Sequence, residues 1–353
     1  MKRSLLLAAF IAGWTAPALA DDPKTVEDYI KLAQQKEADF YSSGGHYRDL
    51  EDAVDIYSAI LKQYPKEFPE VYYYRAEDYS AAGMERAAIK DYDKALELDA
   101  PPPKGPYLKH DAIYKDRGEA EKDVGEYKSA VADFTRAMQS HPNDLELVDD
   151  RAEARLGAGD CAGAISDYSS AIELTPAGET PSSLYYDGRA VGRICTGDLE
   201  PALEDFRSAI KSEQQLNTQT HMNSIGTTNL NKWVLLTHLG RKADADQELS
   251  AELAAADTPK DIDSEYDAAR YFLGRADQAV LFSDAEALKK KQPSAAGAFQ
   301  SDAWYYAGLK AAADGSKAEA LKDFHKVLAS RQSTMGTPEA AHAWSVELQR
   351  HRH

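Results

Sequence analysis

The stretch Asp160–Pro176 reads DCAGAISDYSSAIELTP, and it places a small residue, an aromatic residue and another small residue at spacings of four and three. Ala164, Tyr168 and Ala171 fall on one helix face because each step is close to one turn. The same triplet occurs three more times, at Ala88–Tyr92–Ala95, Ala130–Phe134–Ala137 and Ala202–Phe206–Ala209. The pattern predicts helices that each bury a stripe of small and aromatic side chains.

The triplets recur at a nearly constant interval. Their first alanines lie 42, 34 and 38 residues apart. The first interval becomes 34 without the proline-rich insert 100–107, and the third becomes 34 without four residues of the loop 176–183. A fixed period of this length predicts stacked helix pairs. Such a stack offers a long surface and no enclosed pocket, so the period favours binding over catalysis.

The helix that precedes each triplet carries a second pattern, in which Ala or Gly follows an aromatic or branched residue by four positions. The pairs are Tyr72/Ala76, Tyr114/Gly118, Val148/Ala152 and Tyr186/Ala190. With the closing prolines Pro142 and Pro176, these residues make the chain resemble the tetratricopeptide-repeat (TPR) family. Tyr or Val replaces the opening Trp of the family pattern. The resemblance implies an all-α fold, a right-handed α-solenoid of antiparallel helix pairs. The chain shows no strand-like alternation, and its helical patterns predict about sixteen helices.

The repeats suggest a division of the chain. We expect N-terminal capping helices and a degenerate repeat over residues 21–67, four TPR-like repeats over 68–215, and an irregular helical block over 229–353. The polar stretch 216–228 is the candidate boundary. The irregular block contains one further repeat at about 301–332, marked by Trp304, Gly308 and the triplet Ala320–Phe324–Val327.

The block 229–330 is similar in layout to the envelope TPR adaptors of the NlpI type. The residues that carry the similarity are Tyr271–Gly274, Trp304–Gly308 and Ala320–Phe324. The similarity implies an envelope adaptor that can form a homodimer and dock hydrolases or proteases. Asp21 stands where those lipoproteins have a lipid-attachment cysteine, so membrane anchoring is not implied.

The first twenty residues have the pattern of a signal peptide. Lys2 and Arg3 precede an apolar stretch from Leu5 to Trp14, and Ala18-Leu19-Ala20 forms a small-residue cleavage site. We therefore expect residues 1–20 to be removed and the mature chain to be periplasmic or secreted. An uncleaved anchor is the alternative. No later segment is apolar over a length that could span a membrane.

The chain contains two cysteines, Cys161 and Cys195, which lie 34 residues apart, one repeat. Cys161 opens the second helix of one pair, and Cys195 closes the first helix of the next pair. Because an exported protein meets an oxidising compartment, we expect a disulfide between them. Two buried free thiols are the alternative.

Arginine and aspartate recur at matching positions of the repeats. Arginine precedes each small residue of the first helix, and aspartate follows the first alanine of each triplet by three positions. The pairs are Arg75/Asp91, Arg117/Asp133, Arg151/Asp167 and Arg189/Asp205. We expect ion pairs that fix the register of the two helices; a ladder of anion sites is the alternative. The last repeat has Asp323 but Ala307, so it should lack this pair.

In the TPR family the first helix of each pair lines the concave face, and that assignment gives the predicted binding residues. They are Tyr73, Glu77, Lys115, Glu119, Lys122, Asp149, Glu153 and Asp187. Tyr and Asp stand where a carboxylate clamp needs Lys and Asn, so the resemblance disfavours that mode. We expect a protein or an extended peptide with basic and apolar side chains. The alternative is that the convex face or an end of the stack binds instead.

Composition restricts the function further. The 353 residues carry a formal net charge of −18, which argues against nucleic acid or anionic lipid as a partner. The sequence lacks the phosphate-loop, zinc-protease and serine-hydrolase motifs, so we expect no cofactor, no metal and no catalysis. The leading interpretation is an exported adaptor. A self-assembling envelope module is the second hypothesis, and an enzyme with a site assembled across repeats is the third.

Overall fold

A computed structural model describes residues 25–42, 47–99, 108–216, 226–256, 263–330 and 337–350. The predicted signal peptide and the proline-rich insert lie outside these residues, as does most of the predicted boundary 216–228. The described residues form seventeen α-helices and one short 3₁₀ helix, and they contain no strand. The prediction of an all-α chain of about sixteen helices is thus confirmed.

The chain divides into two compact units, one ending at Pro142 and one beginning at Asn143. Unit 1 contains three helix pairs: α1 (Val26–Ser42) with α2 (Tyr47–Gln63), α3 (Pro69–Ala81) with α4 (Glu85–Leu98), and α5 (His110–Asp123) with α6 (Tyr127–Ala137).

Unit 2 begins with two further repeat pairs and continues into the irregular block. Its helices are α7 (Leu145–Gly157), α8 (Cys161–Leu174), α9 (Ser183–Thr196), α10 (Leu199–Leu216), α11 (Thr227–His238), α12 (Lys242–Ala255), α13 (Ser264–Phe272), α14 (Ala279–Lys291), α15 (Ala296–Ala313), α16 (Lys317–Ser330) and α17 (Thr337–Arg350). The 3₁₀ helix Pro293–Ala295 precedes α15.

The small–aromatic–small triplets are the contact stripes within the pairs. All members of the four triplets are buried, and so are Ala320, Phe324 and Val327 of the last repeat. The opposing helix must be small at the contact: a Cβ at Gly118 would lie 3.0 Å from Cε1 of Phe134, and one at Gly308 would lie 2.7 Å from Cε1 of Phe324. Close approach of the two backbones therefore depends on the small residues.

The first helices of successive pairs form the inner face of each unit. In unit 1, α3 contacts α5 directly, and in unit 2, α7 contacts α9. The second helices of the same pairs, α4 with α6 and α8 with α10, do not approach one another to the same extent. Side chains on α1, α3 and α5 are therefore the candidates for a binding face in unit 1, and those on α7 and α9 for one in unit 2.

All four expected Arg–Asp ion pairs are present, and each joins the two helices of one repeat. In three of them both guanidinium-to-carboxylate distances are at most 2.9 Å; the fourth, Arg189–Asp205, has distances of 2.7 and 3.1 Å. The four aspartates are buried. Two parallel hydrogen bonds to a buried carboxylate restrict the register of the helices more tightly than a single contact would.

The last repeat lacks this pair, in agreement with Ala307 at the arginine position. Its aspartate, Asp323, instead accepts a hydrogen bond from Lys326 at 2.6 Å, one turn along the same helix. Asp323 is therefore neutralised without a bond to α15.

Cys161 and Cys195 form a disulfide between the start of α8 and the end of α9. Their Cα atoms are 6.2 Å apart, which lies within the range that a disulfide bridges. The bond ties two successive repeat pairs of unit 2 together.

The helix α17 is the element that sequence analysis did not single out. It follows the last repeat without a repeat partner of its own, and it packs against α7 and α9 as well as α15 and α16. Trp344, Ala341 and Leu348 of this helix are buried in the same apolar cluster as Ile194 and Cys195.

The ion pairs predict a graded stability effect. Asp91 has Arg75 as its one cationic partner among described residues, whereas Asp167 also pairs with Arg155 at 2.7 Å. We expect Arg75→Ala to lower the free energy of unfolding by about 3 kcal/mol, because Asp91 is left buried and unpaired. Arg151→Ala should cost about 1–2 kcal/mol, because Arg155 remains. Urea unfolding followed by circular dichroism measures both, and equal losses would contradict the ion-pair interpretation.

The disulfide predicts a second effect. Reduction should lower the stability of unit 2 by roughly 3–4 kcal/mol in the chain-entropy account, since the bond closes a 34-residue loop. Intact mass after denaturation and alkylation checks the bond itself. We expect two adducts after reduction and none without it; adducts on the unreduced protein would show free thiols.

Candidate binding face

Two of the predicted binding residues of unit 1 lie in one hydrogen-bonded group on the inner face. The Tyr73 hydroxyl lies 3.1 Å from Oε1 of Glu77 and 2.9 Å from Oδ2 of Asp116. One hydroxyl proton therefore faces two carboxylates that come from different first helices, α3 and α5. The arrangement concentrates negative charge on this face.

The basic island predicted on α5 is partly neutralised by its own helix. Nζ of Lys115 lies 3.8 Å from Oε1 of Glu119, one turn further along, and both side chains are partly exposed. Lys122 follows on the same helix and is half-buried. The pair as a whole carries no net charge, and as a surface pair it contributes little to stability.

Three carboxylates and four tyrosines on α1, α2 and α3 form what we call the acidic–tyrosine cluster: Glu37, Glu77, Asp78, Tyr41, Tyr57, Tyr73 and Tyr74. The Tyr57 hydroxyl donates to Oε1 of Glu37 at 2.6 Å. The Tyr57 and Tyr74 rings stack with centroids 6.0 Å apart, and Tyr74 contacts Tyr73 at 5.8 Å. Sequence analysis identified Tyr73 and Glu77 but missed the other five residues.

Asp78 is the most unusual member of the cluster. It is only 3 % exposed, and its Oδ2 atom is buried without a hydrogen-bond partner. Burial and then the negative charges of Glu37 and Glu77 raise the pKa of Asp78 to about 8. Burial also raises the pKa of the neighbouring Glu77 to about 7, although its hydrogen bond from Tyr73 acts in the opposite direction.

No described lysine or arginine lies within 4.0 Å of a carboxylate oxygen of Glu37, Glu77 or Asp78. The cations nearest to them in sequence pair with other residues: Lys36 with Asp52, and Arg75 with Asp91. Buried carboxylates are ordinarily paired or protonated, because an isolated buried charge is costly. The inner face of unit 1 thus contains acidic groups that no described cation pairs, among them the buried Asp78.

The cluster has an exposed rim as well as a buried floor. Tyr41 is 69 % exposed, and Glu77 also faces solvent, whereas Tyr57 and Asp78 are buried. The charges of Asp78, Glu77 and Glu37 all act on Tyr41 and raise its pKa, after burial, which is the larger cause. The charges of the buried Asp78 and of the exposed Glu77 thus act on the same tyrosine.

The inner face of unit 2 is arranged differently, because α17 packs against α7 and α9. Asp149 is half-buried and Glu153 is exposed. Burial and then the charges of Glu153, Asp149 and Glu339 of α17 raise the pKa of Tyr168. The chain's own C-terminal helix therefore covers part of the face that the repeat pattern predicts to be open.

A hydrogen bond to α9 holds α17 in this position, and a second bond within α17 orients the arginine that makes it. Nη2 of Arg350 donates to the carbonyl oxygen of Cys195 at 2.6 Å, and Glu347, which is almost fully buried, accepts from Nη1 of Arg350 at 3.0 Å. His238 of α11 packs edge-on against Trp344, with ring centroids 5.8 Å apart. The helix α17 is thus packed into unit 2 and hydrogen-bonded to it.

The predicted binding residue Asp187 differs from expectation. Its Oδ2 atom accepts a hydrogen bond from Thr228 of α11 at 2.8 Å, and its Oδ1 atom is buried without a partner. Burial raises its pKa to about 8. Because α11 packs beyond the last regular repeat, it covers a position that would face solvent in an uninterrupted array. Asp187 is thus half-buried and hydrogen-bonded to α11.

The raised pKa values give a pH dependence with a definite sign. The folded-state pKa of Asp78, about 8, lies above its ordinary value of 3.8, so the folded state binds more protons between these pH values. The free energy of unfolding of unit 1 should therefore fall as pH rises from 4 to 8. We expect Asp78→Asn to stabilise unit 1 by roughly 1–3 kcal/mol at pH 8 and to have little effect at pH 4.

Urea unfolding at a series of pH values measures this effect. Asp55→Asn is the matched control, because Asp55 is exposed on α2 and the substitution changes the net charge equally. A stabilisation by Asp78→Asn that is constant from pH 4 to pH 8 would contradict the assignment of the titration to Asp78.

Comparison with known proteins agrees with this architecture. No family model matches the chain. Over 98 residues the chain is 32 % identical to Hsp70-Hsp90 organizing protein 2 of Arabidopsis thaliana, a match that covers 28 % of this chain and 16 % of that relative's length.

Solved structures resemble a larger part of the chain. A tetratricopeptide repeat protein from Parabacteroides merdae matches 90 % of this chain and 98 % of its own length with a TM-score of 0.52 and 14 % identity. MamA from Desulfovibrio magneticus RS-1 matches 55 % of this chain and all of its own at 18 % identity, with a TM-score of 0.46. The buried triplets, the repeated helix pairs and the similarity to the Parabacteroides merdae structure together show that the chain has the tetratricopeptide-repeat fold.

Proposed function

We propose that this protein is a non-catalytic scaffold that binds an extended segment of another protein through the inner face of unit 1. One observation carries the proposal. The inner face of unit 1 presents carboxylates without a described cationic partner beside an exposed tyrosine, whereas α17 covers part of the corresponding face of unit 2. The open face is the one with unsatisfied charge.

The chemistry of this face indicates the character of the segment. Carboxylates attract basic side chains, and tyrosine rings offer apolar area together with a hydroxyl, a combination that is enriched at binding hot spots. A segment that alternates basic and apolar residues fits both features. A carboxylate clamp does not fit, because Tyr73 bonds to two acidic groups at the position that would need a cation.

The relatives are consistent with a scaffold. The matching protein of Arabidopsis thaliana is named an organizing protein for Hsp70 and Hsp90, and the match to it involves 98 residues. We extend a scaffolding role, and not those partners, to this chain, because the match covers only 16 % of that relative's length.

Export to the periplasm or the cell exterior belongs to the same proposal. The Cys161–Cys195 disulfide supports it, since such bonds persist in oxidising compartments. The signal-peptide pattern of residues 1–20 supports it as well, although those residues lie outside the described part of the chain. Among the described helices, none is both long and apolar enough to cross a bilayer.

A peptide pair tests the binding face. A fluorescein-labelled twelve-residue peptide of alternating lysine and leucine should bind, and the same peptide with glutamate in place of lysine should not. Glu119→Lys on α5 should weaken binding about tenfold, because it reverses a charge on the inner face of unit 1. Fluorescence anisotropy measures the affinities.

Glu153→Lys is the matched control for this experiment. It makes the same charge reversal at the equivalent repeat position of unit 2, beside α17, and should leave the affinity unchanged. Equal binding of the glutamate peptide, or equal losses from the two substitutions, would overturn the proposal that unit 1 provides the face.

A further inference from the structure

We propose that the acidic–tyrosine cluster is a pocket for one lysine or arginine side chain of the bound segment, with Asp78 and Glu37 at its floor. The inference rests on the proposed function. It adds to it the place where the bound segment is recognised and the type of side chain that binds there. It concerns a single side chain, whereas the acidic inner face as a whole would attract any basic segment.

An unpartnered carboxylate oxygen of Asp78 lies at the floor of the proposed pocket. Oδ2 of Asp78 is buried and accepts no hydrogen bond, and the residue is 97 % removed from solvent. Other buried aspartates of unit 1 are satisfied: Asp91 and Asp133 each accept two hydrogen bonds from an arginine. The repeat therefore has a means to pair such carboxylates, and Asp78 is not paired by it.

Two helices, α1 and α3, contribute carboxylate acceptors to the proposed pocket. Glu37 comes from α1 and accepts a hydrogen bond from Tyr57, whose ring stacks on Tyr74, one turn before Asp78 on α3. Glu77 comes from α3 as well. The charges of the three carboxylates also raise the pKa of Tyr41, after burial, which is the larger cause. An ammonium group has three donors and no acceptor, and a guanidinium group has five donors, so either group can serve several carboxylates at once. The site offers acceptors in the number that a basic side chain requires.

Tyrosine rings lie next to the carboxylates of the cluster. The stacked rings of Tyr57 and Tyr74, with Tyr73 beside them, line the acidic groups. A lysine or arginine has an apolar stem below its charged head, and aromatic rings bind such stems and also attract the cation. The exposed ring of Tyr41 adds aromatic area on α1.

A single metal ion fits the site less well than a basic side chain. Carboxylate oxygens of Glu37, Glu77 and Asp78 do not all lie within 4.8 Å of one another. A metal ion needs its ligands within a short radius, whereas the donors of an elongated side chain are spread over several ångströms. The spacing therefore favours an organic cation.

The empty pocket also has a thermodynamic signature. An unpaired buried carboxylate destabilises the fold, and the raised pKa of Asp78 is the expression of that cost. A bound cation would remove the cost, so part of the binding free energy is stored as instability of the unbound protein. Asp78→Asn should then increase stability and decrease affinity together, which a purely structural residue would not do.

The experiment uses the full chain and a fluorescein-labelled ten-residue peptide with one central lysine among leucine, alanine and serine residues. We expect Asp78→Asn to weaken binding of this peptide about 30-fold or more, as loss of one partner of a buried charge pair does. Acetylation of the lysine should weaken binding to the wild-type protein similarly, and it should have little further effect on the variant.

Glu121→Gln is the matched control. Glu121 is a buried carboxylate of unit 1 with an unpartnered Oε2 atom and a pKa raised, first by burial, to about 7, but it lies on α5 near Asp133 and Arg117. It should stabilise the protein as Asp78→Asn does and leave peptide affinity unchanged. The control separates neutralisation of a buried acid from loss of the pocket.

The outcomes distinguish this inference from the proposed function. If the wild-type protein binds the lysine peptide and Asp78→Asn binds it equally well, the pocket is overturned and the binding face stands. If both carboxylate variants weaken binding equally, the pocket is overturned as well. If the wild-type protein binds neither this peptide nor the alternating lysine–leucine peptide, the proposed function fails, and the pocket fails with it.

Discussion

The contact between an aromatic ring and a small residue on the opposing helix is the constraint on which the structure depends. Phe134 against Gly118 and Phe324 against Gly308 leave no room for a Cβ atom, so each pair closes at one separation and one register. The buried Arg–Asp bonds act at the same interface and reinforce that register. Since the four regular repeats combine a small residue at this contact with a buried Arg–Asp bond, packing inside these pairs determines how their first helices are presented, and the side chains on the inner face are free to vary.

This separation explains what could be predicted from the sequence. Residues such as Ala164, Tyr168 and Arg151 recur because one local interface recurs, so their partners follow from spacing alone. The cysteine pair follows in the same way, one repeat apart. The inner face does not repeat, and its neighbours are set by helices distant in the chain. Asp187 accepts a hydrogen bond from Thr228, and the Cys195 carbonyl accepts one from Arg350, through contacts that no repeat spacing encodes.

The acidic–tyrosine cluster was missed for a related reason. Tyr73 and Glu77 lie at expected inner positions, but Asp78 and Tyr74 point toward α1 and α2, and the first pair has irregular spacing. In sequence, Asp78 resembles any helical aspartate. Its burial beside Glu37 and its lack of a counter-charge appear only when the first pair is placed against the second. A buried acid without a partner conflicts with the consistent packing of the rest of the unit, and such conflicts are expected at functional sites.

The return of α17 onto α7 and α9 has a consequence for how unit 2 unfolds. In a simple repeat array each pair touches only its neighbours, so stability is a sum of local terms and the ends can fray while the middle persists. Here the last helix of the chain is bonded to Cys195 and buried against the opening helices of the same unit, which turns a linear set of contacts into a closed one. Unit 2 should therefore lose its structure as one cooperative body. The disulfide and α17 both hold the end of α9, at Cys195.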